Sequence, residues 1–316
     1  MARIVIALGG NALQSDPKDI SAKAQQQTIE SISGVLTDLI EKGHEILFVH
    51  GNGPQVGQIM SSYETSATVN PLLPVMPFPE CGAMSQGYIG YHLQQTLKNA
   101  MVRRGIKKEI VTIITQTVVD KNDPAFQRPS KPVGSFYTKE QAKELETTRG
   151  YVMKEDANRG YRRVVPSPKP LEFVEEPIIS ALLDAGHLVI SAGGGGVPVI
   201  DRGNGELEGV PAVIDKDFAA CKLAEDIHAD ALIILTAVDN VAVNFGRPDQ
   251  KNLTNLTVSE AEAFIAQGQF APGSMLPKVE AAISFVKSEP NRKAVITSLC
   301  QALEAIGGKA GTVVTI

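Results

Sequence analysis

The feature that most constrains the fold of this chain is a series of short apolar runs, rich in β-branched residues, that alternate with stretches of helical periodicity. Most runs are continuously apolar, which is typical of parallel strands covered on both faces. The runs predict strands at Arg3–Leu8, Glu45–His50, Ile110–Val119, His187–Ser191, Ala231–Thr236, Lys293–Thr297 and Gly311–Ile316. The intervening stretches predict helices at about Ser21–Lys42, Met84–Arg103, Pro177–Ala185, Phe218–Ile227, Val258–Ala266 and Lys278–Lys287. This alternation predicts an α/β protein with a mostly parallel sheet.

The alternation stops between residues 121 and 170, a segment rich in Pro, Gly, Lys and Arg with no long apolar run. Structureless connections of this length are uncommon inside compact domains. We therefore interpret the segment, called the excursion below, as a flap that leaves the sheet. A second irregular stretch, Asn70–Pro79, contains four prolines and predicts an ordered surface loop.

Composition narrows the classes of function. The 316 residues are 43% hydrophobic with a net charge of −5, which indicates a folded protein without a general attraction for nucleic acid or anionic membranes. The three cysteines are widely spaced and indicate neither a disulfide framework nor a zinc site. The first apolar run is too short for a signal peptide, and no stretch has the length of a membrane span. We expect a cytoplasmic protein without nucleic-acid or membrane partners.

Glycine-rich loops follow three predicted strands, and a fourth precedes a predicted helix. They are Gly9-Gly10-Asn11, Gly51-Asn52-Gly53, Gly193–Gly196 and Gly273-Ser274-Met275. Glycine lets the backbone approach a ligand closely, and the N–H groups of the loop and the following helix favour an anion. Simple tight turns are the alternative, but three strand-end clusters in one chain favour a phosphate site at the carboxyl edge of the sheet.

The common phosphate-binding motifs are missing. No GxxxxGK[ST] loop is present, and neither is the HRD and DFG set of protein kinases. A dinucleotide-binding loop at Gly51 is disfavoured because the third glycine, Gly57, falls one residue late for GxGxxG. The acidic residue expected about twenty positions later would fall in the proline-rich stretch rather than at the end of a strand.

Phosphoryl transfer depends on cations around the migrating group, and three lysines near loops or helix starts are candidates: Lys131, Lys216 and Lys278. Lys216 follows a strand-like run, Val210–Ile214, and lies between two aspartates, for which a solvated ion pair is the alternative. Lys278 opens a predicted helix, where the helix dipole disfavours a cation. Residues that break local rules in this way often mark functional sites.

Taken together, the motifs resemble those of carbamate kinases, a branch of the amino acid kinase superfamily. They run along essentially the whole chain in the order ALGGNAL, HGNGPQVG, SQGYIGY, KPVGSFY, RRVVPSPKP, SAGGGGVPVI, AVIDKD, GSMLPKVEAAI and ITSL. The combination of HGNGPQVG with KPVGSFY and RRVVPSP is the most specific part, because the last two lie in the excursion.

The resemblance implies a single domain (1–316) built on an open, mostly parallel eight-stranded sheet sandwiched by helices. Residues 1–120 and 171–205 would form mainly the carbamate lobe, 121–170 a protruding lid, and 206–316 mainly the nucleotide lobe. The implied reaction is reversible phosphoryl transfer between ATP and carbamate, giving ADP and carbamoyl phosphate. It would run toward ATP in fermentative arginine or related carbamoyl catabolism. A homodimer is implied, as is Mg²⁺ held by phosphates and water rather than by a protein metal site.

Site residues follow from the matching positions. The loops that would bind the phosphoryl group and carbamate contain Gly9, Gly10, Asn11, Gly51, Asn52 and Gly53. The charged residues of the transfer would be Lys131 from the lid to the γ-phosphate, Lys216 on the migrating phosphoryl group, Lys278 on the nucleotide phosphates, and Asp217 orienting the lysines. The residues that would surround the nucleotide are Gly194, Asp215, Ala237, Val238, Val241, Gly273, Ser274 and Met275.

Two positions depart from the family pattern, which commonly has Asp at Ala237 and Gly at Leu276. Three alternatives remain open. A kinase for another acid, such as acetylglutamate, would need a cationic clamp that we do not identify. A carbamate-kinase-like protein would act on another carbamoyl substrate. A non-catalytic nucleotide sensor would be expected to lose the lysines, whereas Lys131, Lys216 and Lys278 are all retained.

Overall fold

The computed structural model describes residues 2–9, 13, 19, 21–156 and 159–316. Its strands are β1 (Arg3–Leu8), β2 (Glu45–His50), β3 (Ile110–Thr112), β4 (Gln116–Val119), β5 (Lys131–Tyr137), β6 (Val152–Glu155), β7 (Tyr161–Val165), β8 (Pro170–Phe173), β9 (Leu188–Ile190), β10 (Val197–Asp201), β11 (Leu207–Gly209), β12 (Ala231–Thr236), β13 (Val241–Val243), β14 (Lys251–Leu253), β15 (Asn255–Thr257), β16 (Lys293–Ser298) and β17 (Thr312–Thr315). Its helices are α1 (Ala22–Glu41), α2 (Gly53–Val69), α3 (Phe78–Arg103), α4 (Lys139–Arg149), α5 (Glu176–Asp184), α6 (Lys216–Asp226), α7 (Val258–Ala266), α8 (Met275–Ser288) and α9 (Ala302–Ile306). Among these described helices, none is long and apolar enough to cross a membrane.

An eight-stranded sheet forms the centre of the molecule, in the order β15-β17-β16-β12-β1-β2-β9-β3. Every neighbouring pair is parallel except β16 with β17. Leu8 of β1 lies opposite His50 of β2 and Leu235 of β12. The loops after these three strands therefore start at one edge of the sheet, and the predicted fold class is confirmed.

Apolar residues on both faces of this sheet are buried. On one face, Phe48 of β2 packs with Leu36 of α1 and Leu93 of α3. On the other, Val5 of β1 belongs to the same buried cluster as residues of α5, α6 and α8, including Leu223. Coverage on both faces explains why the central strands are continuously apolar rather than alternating.

Some predicted elements differ from the structure. The predicted strand Ile110–Val119 is two strands, β3 in the central sheet and β4 in a second sheet of order β11-β10-β4-β8. Between them the side chain of Gln86 binds Thr115 on both sides, accepting from its N–H at 3.0 Å and donating to its carbonyl at 3.1 Å. The chain leaves the central sheet here, and the Thr115 carbonyl also accepts from the N–H of Val197 in β10 at 2.8 Å.

Three other predictions also differ from the structure. The run Val210–Ile214 is irregular rather than a strand, and Val213 N–H donates to the carbonyl of Pro166 at 3.0 Å. Helix α3 begins six residues before the predicted Met84, and α2 was not among the predicted helices.

The excursion is folded. It contains a three-stranded sheet of order β5-β7-β6 and helix α4, which starts with a capping box between Thr138 and Gln141. Strand β5 packs on α2, and a Cβ added at Gly57 would lie 2.8 Å from the backbone of Gly134. The excursion therefore lies directly against the helix that follows the second glycine loop.

Candidate active site

One carboxylate at the start of α6 binds two lysines. Asp217 Oδ1 accepts from Lys216 Nζ at 2.5 Å, and its Oδ2 accepts from Lys278 Nζ at 2.8 Å. The Asp217 side chain is 3% exposed and each lysine side chain 14%. Lys216 is the first residue of α6 and Lys278 lies in the first turn of α8, so this carboxylate joins two helix N-termini. The three groups carry a net charge of about +1 toward the carboxyl edge of the sheet.

The protonation of Asp217 reflects two opposed effects. Burial by itself would raise the pKa of this carboxyl group, because water is removed from its charged form. The Lys216 and Lys278 ammonium groups outweigh burial and hold the pKa of Asp217 below its ordinary value. The carboxylate is therefore ionised at neutral pH.

The third predicted lysine reaches the same region from the excursion. Lys131, the first residue of β5, donates to Asp215 Oδ2 at 2.5 Å. Asp215 is the N-cap of α6, and its other oxygen accepts from Asp217 N–H at 3.0 Å. The exposed fractions are larger here, 33% for Lys131 and 13% for Asp215. Sequence-distant lysines thus converge on two aspartates of one helix turn, with Lys131 on Asp215 rather than on Asp217.

The second glycine loop lies beside this cluster. A Cβ at Gly51 would lie 3.5 Å from Lys216 Cδ, so the loop and the lysine are in contact. Asn52 is the N-cap of α2 and Gly53 its first residue, so the N-terminus of that helix follows directly after the residue that contacts Lys216. Asn52 Nδ2 donates to Ser85 Oγ at 2.8 Å.

The first glycine loop is described only at its start. A Cβ at Gly9 would lie 2.6 Å from the carbonyl oxygen of Leu235, so a larger residue does not fit there. The predicted phosphoryl-binding residues Gly10 and Asn11 lie outside the described residues.

The Gly193–Gly196 loop packs directly against the side chains of Asn52 and His50. A Cβ at Gly193 would overlap the His50 ring, and one at Gly194, whose φ is +65°, would overlap the Asn52 carboxamide. Gly194, predicted to surround the nucleotide, thus lies against the predicted carbamate loop. The glycines allow two strand-end loops to contact each other without intervening side chains.

His50 is a structural residue. Complete burial lowers its pKa to about 4, so the ring is neutral at physiological pH. A neutral ring next to a carbonyl places its proton on Nδ1, which donates to the carbonyl oxygen of Gly51 at 2.8 Å. His50 therefore holds the start of the second glycine loop in place.

A cavity of about 440 Å³ reaches the start of α8, where Ser274 and Met275 line it about one turn before Lys278. Its lining includes four of the residues predicted to surround a nucleotide, namely Ala237, Val238, Ser274 and Met275. Gly273 forms the left-handed turn before α8, with φ of +71°. Val241 is buried in β13, where its N–H donates to Thr312 Oγ1 at 2.8 Å. The cavity has the size of a small-molecule site, and its walls are about half polar, with Asn240, Arg247 and Gln269 among the lining residues.

Two features of the site were missed from the sequence. A cavity of about 1130 Å³ between α2 and the excursion is lined by hydroxyl side chains and by Arg159 and Arg162. Lys169 Nζ lies 3.1 Å from the centroid of the Phe218 ring, and burial lowers the pKa of this lysine. Both Arg162 and Lys169 belong to the RRVVPSPKP motif, so this motif was the sequence signal that could have revealed them.

The comparisons with known proteins agree with this geometry. The family model described as "Amino acid kinase family" matches residues 2–298. The chain belongs to the amino acid kinase family. Membership makes it a phosphotransferase enzyme, and the relatives below confirm the resemblance to carbamate kinases.

Three relatives within the family cover the whole chain. It is 57% identical over 310 residues to carbamate kinase of Clostridium perfringens, with 98% of each chain covered. It is 53% identical over 312 residues to the carbamate kinase-like protein YqeA of Escherichia coli, covering 99% of this chain and 98% of the relative. The solved structure of carbamate kinase from Giardia lamblia bound to AMP-PNP has a TM-score of 0.92 and 42% identity, with 99% and 98% covered.

Proposed function

We propose that this enzyme catalyses reversible phosphoryl transfer between ATP and carbamate, giving ADP and carbamoyl phosphate. The observation that carries the proposal is the convergence of Lys131, Lys216 and Lys278 beside the Gly51–Asn52 loop, together with the 440 Å³ cavity that reaches the start of α8. The relatives named carbamate kinase support it, and one of them is bound to the ATP analogue AMP-PNP.

In this proposal the two substrates approach from opposite sides of the lysines. Residues 206–316 bind the nucleotide, with the base in the cavity lined by Ala237 and Met275. Residues 1–120 and 171–205 bind carbamate through Gly51, Asn52 and Gly53. The first glycine loop, Gly9 to Asn11, binds the phosphoryl group in transit through its backbone N–H groups.

Each lysine has a separate task. Lys278 binds the nucleotide phosphates, Lys216 neutralises the migrating phosphoryl group, and Lys131 binds the γ-phosphate from the excursion. Asp217 keeps Lys216 and Lys278 oriented. Because both aspartates of the cluster already bind lysines, they are poorly placed to bind a cation themselves.

The chemistry is a direct in-line displacement. A carboxylate oxygen of carbamate forms a bond to the γ-phosphorus while the bond from that phosphorus to the β,γ-bridging oxygen breaks, and ADP leaves. Carbamate is already an anion, so no general base is required. Catalysis then consists of positioning two anions and stabilising the charge of the phosphoryl group. Mg²⁺ would arrive with the nucleotide, bound by phosphate oxygens and water, and would neutralise phosphate charge.

The excursion is proposed to close as a lid over the site. Lys131 connects the excursion to α6, so closure would bring the Lys131 ammonium group to the site and would exclude water from the site at the same time. Exclusion of water would protect carbamoyl phosphate, an energy-rich acyl phosphate, from hydrolysis. That energy content favours ATP synthesis as the cellular direction, within fermentative arginine or related carbamoyl catabolism in the cytoplasm.

A homodimer is also proposed. Strand β3 is the outer strand of the central sheet and has no neighbour on one side among the described strands. Large apolar side chains are exposed near it, including Tyr91 and Ile114. A second copy covering this face would bury them.

A second candidate is transfer to another carbamoyl substrate. This second candidate is supported by the relative that is named carbamate kinase-like and is 53% identical to this chain. The lysine cluster would serve such a reaction equally well.

The test is a coupled assay of ATP formed from ADP, Mg²⁺ and carbamoyl phosphate, with Lys216→Ala as the control. ATP formation that is lost in the variant supports the proposal. Folded protein that binds ADP but forms no ATP above spontaneous breakdown would contradict it, and would favour the second candidate or a nucleotide sensor.

A further inference from the structure

A buried serine on α3 binds the side chain of the proposed carbamate loop. Ser85 is completely buried, and its Oγ lies 2.6 Å from the carbonyl oxygen of Gly82 and 2.8 Å from Asn52 Nδ2. It belongs to the SQGYIGY motif, which none of the roles proposed above uses.

The direction of these hydrogen bonds follows from chemistry alone. A serine hydroxyl has one proton, and a carbonyl oxygen only accepts, so the Ser85 proton is donated to Gly82. Ser85 Oγ must then accept from Asn52, which must present its NH₂ group rather than its oxygen. The orientation of the Asn52 carboxamide is therefore determined by Ser85.

Within the part of the chain that the structure describes, no donor bonds Asn52 Oδ1 in this arrangement. Among the described residues, the bond to Ser85 is the one hydrogen bond of the Asn52 side chain. The carboxamide is confined, because a Cβ at Gly194 would overlap it. Its neighbour Gly51 contacts Lys216, and its other neighbour Gly53 starts α2. A single acceptor with a fixed direction thus lies between the lysine cluster and a helix N-terminus.

We propose that Ser85 is a positioning residue that selects the acyl substrate, by fixing Asn52 Oδ1 as the acceptor for an N–H of carbamate or carbamoyl phosphate. This inference rests on the proposed function. The N–H groups at the start of α2 suit the carboxylate oxygens, whereas the amino group of carbamate needs an acceptor. Acetate has the same shape as carbamate, but its methyl group cannot donate a hydrogen bond and leaves Asn52 Oδ1 without a partner.

The opposite amide orientation would reverse this preference. With Nδ2 directed at the substrate, two N–H donors would face each other. Without Ser85 the carboxamide can turn, and the preference for an amino group over a methyl group is weakened. The expected loss is about tenfold, which corresponds to one neutral hydrogen bond.

The experiment compares carbamoyl phosphate and acetyl phosphate as donors to ADP, measured as ATP formed by the same enzyme preparation. In Ser85→Ala we expect kcat/KM with carbamoyl phosphate to fall about tenfold, while kcat/KM with acetyl phosphate changes less than twofold. The acetyl phosphate rate also reports that the variant is folded and active. Ser85→Cys keeps the size of the side chain but accepts hydrogen bonds weakly, so it should change the ratio in the same direction.

A matched control exists on α8. Ser288 donates to the carbonyl of Phe285, three residues earlier, at 2.6 Å and accepts from Arg292, which repeats the bonding of Ser85 outside the site. Ser288→Ala should leave the ratio of the two kcat/KM values unchanged even if stability falls.

The outcomes separate this inference from the proposed function. A selective loss with carbamoyl phosphate in both Ser85 variants supports the positioning role. Equal losses with both donors, or no change, would overturn it alone and assign Ser85 to packing. If the wild-type enzyme forms no ATP from carbamoyl phosphate, the proposed function fails and this inference fails with it.

Discussion

The two aspartates at the start of α6 are two residues apart and bind lysines in contrasting ways. Asp217 is nearly inaccessible and joins Lys216 to Lys278, which both belong to helices of the main body. Asp215 is more accessible and joins the body to Lys131 of the excursion, whose side chain is one-third exposed. One cluster is internal to the body, and the other crosses between the body and a separate sheet.

The contrast separates a permanent interaction from a breakable one. Breaking a buried ion pair by removing one partner costs roughly 3–5 kcal/mol, because a charge is left buried without compensation. The Lys131–Asp215 pair is more exposed than the Asp217 cluster, and since fully exposed pairs contribute about 0–1 kcal/mol, its separation should cost less. Under the proposed function, Lys216 and Lys278 would therefore form a fixed phosphate-binding pair, whereas Lys131 would be able to move away with the excursion.

The largest effect is expected for Asp217→Asn. Two buried ammonium groups would lose their shared counter-ion, so the free energy of unfolding should fall by roughly 3 kcal/mol, and ATP formation by about 10²-fold or more. Chemical denaturation and the coupled assay measure both. Asp226→Asn, on the same helix and paired with Lys222 near the surface, should lose less than about 1 kcal/mol.

The contribution of Asp217 also depends on pH. Its pKa in the folded protein lies below the unfolded value of roughly 3.9, so its stabilisation is complete above that value. The stabilisation disappears as the pH falls through the folded pKa. The difference in unfolding free energy between wild type and Asp217→Asn should therefore be constant from pH 5 to 8 and shrink below about pH 4. A difference that shrinks above pH 5 would contradict the depressed pKa.

Lys216→Ala is expected to reduce activity without a large change in stability. Asp217 keeps Lys278 as a partner, while the migrating phosphoryl group loses a preorganised cation. We expect kcat to fall by roughly 10²–10³-fold. Lys222→Ala, one and a half turns further along α6, is the matched control and should retain wild-type kcat. Equal losses in both variants would mean that α6 itself was disturbed.

A smaller loss is expected for Lys131→Ala. The Lys131 pair is more exposed and therefore more strongly screened, so kcat should fall by about 10–100-fold with stability within about 1 kcal/mol of wild type. Lys154→Ala removes another lysine of the excursion, one that binds the carbonyl of Pro129, and should have no effect on kcat. Full turnover by Lys131→Ala would remove this lysine from the mechanism.

The smallest effect concerns the nucleotide side, at Ala237→Asp. Ala237 lines the 440 Å³ cavity, and a carboxylate there would accept hydrogen bonds from ribose hydroxyls. We expect the Kd for ADP to fall about threefold by calorimetry, with KM for carbamoyl phosphate unchanged. Weaker ADP binding would show that the small side chain suits this cavity better.

Much of the fold could be predicted from the sequence, because strands that are buried on both faces have continuously apolar sequences. Strands β1, β2 and β12 and helix α7 are predicted to the residue. Helix α2 was missed because its sequence is rich in Gly, Ser and Thr and because few of its side chains are both apolar and buried. The break between β3 and β4 depends on a side chain from α3, Gln86, which no local pattern near residue 115 reveals.

The site was predicted less evenly than the fold. Lysines and glycines stand out in a sequence, so Lys131, Lys216 and Lys278 could be proposed before their convergence was seen. The partners that hold them are ordinary residues whose role depends on contact across the fold. Ser85 is one of many serines until it is found against Asn52, and the structural role of His50 depends on a burial that its sequence position does not reveal.

The contact between Gly57 and Gly134 has a consequence for engineering. Helix α2 and strand β5 approach so closely there that a methyl group at position 57 has no room unless the excursion moves outward. Substitution by Ala, Ser or Val would act as a spacer of increasing width between α2 and β5. The clearance of the excursion could thus be adjusted in small steps, which would lengthen the Lys131–Asp215 contact while Lys216 and Lys278 keep Asp217 as their partner.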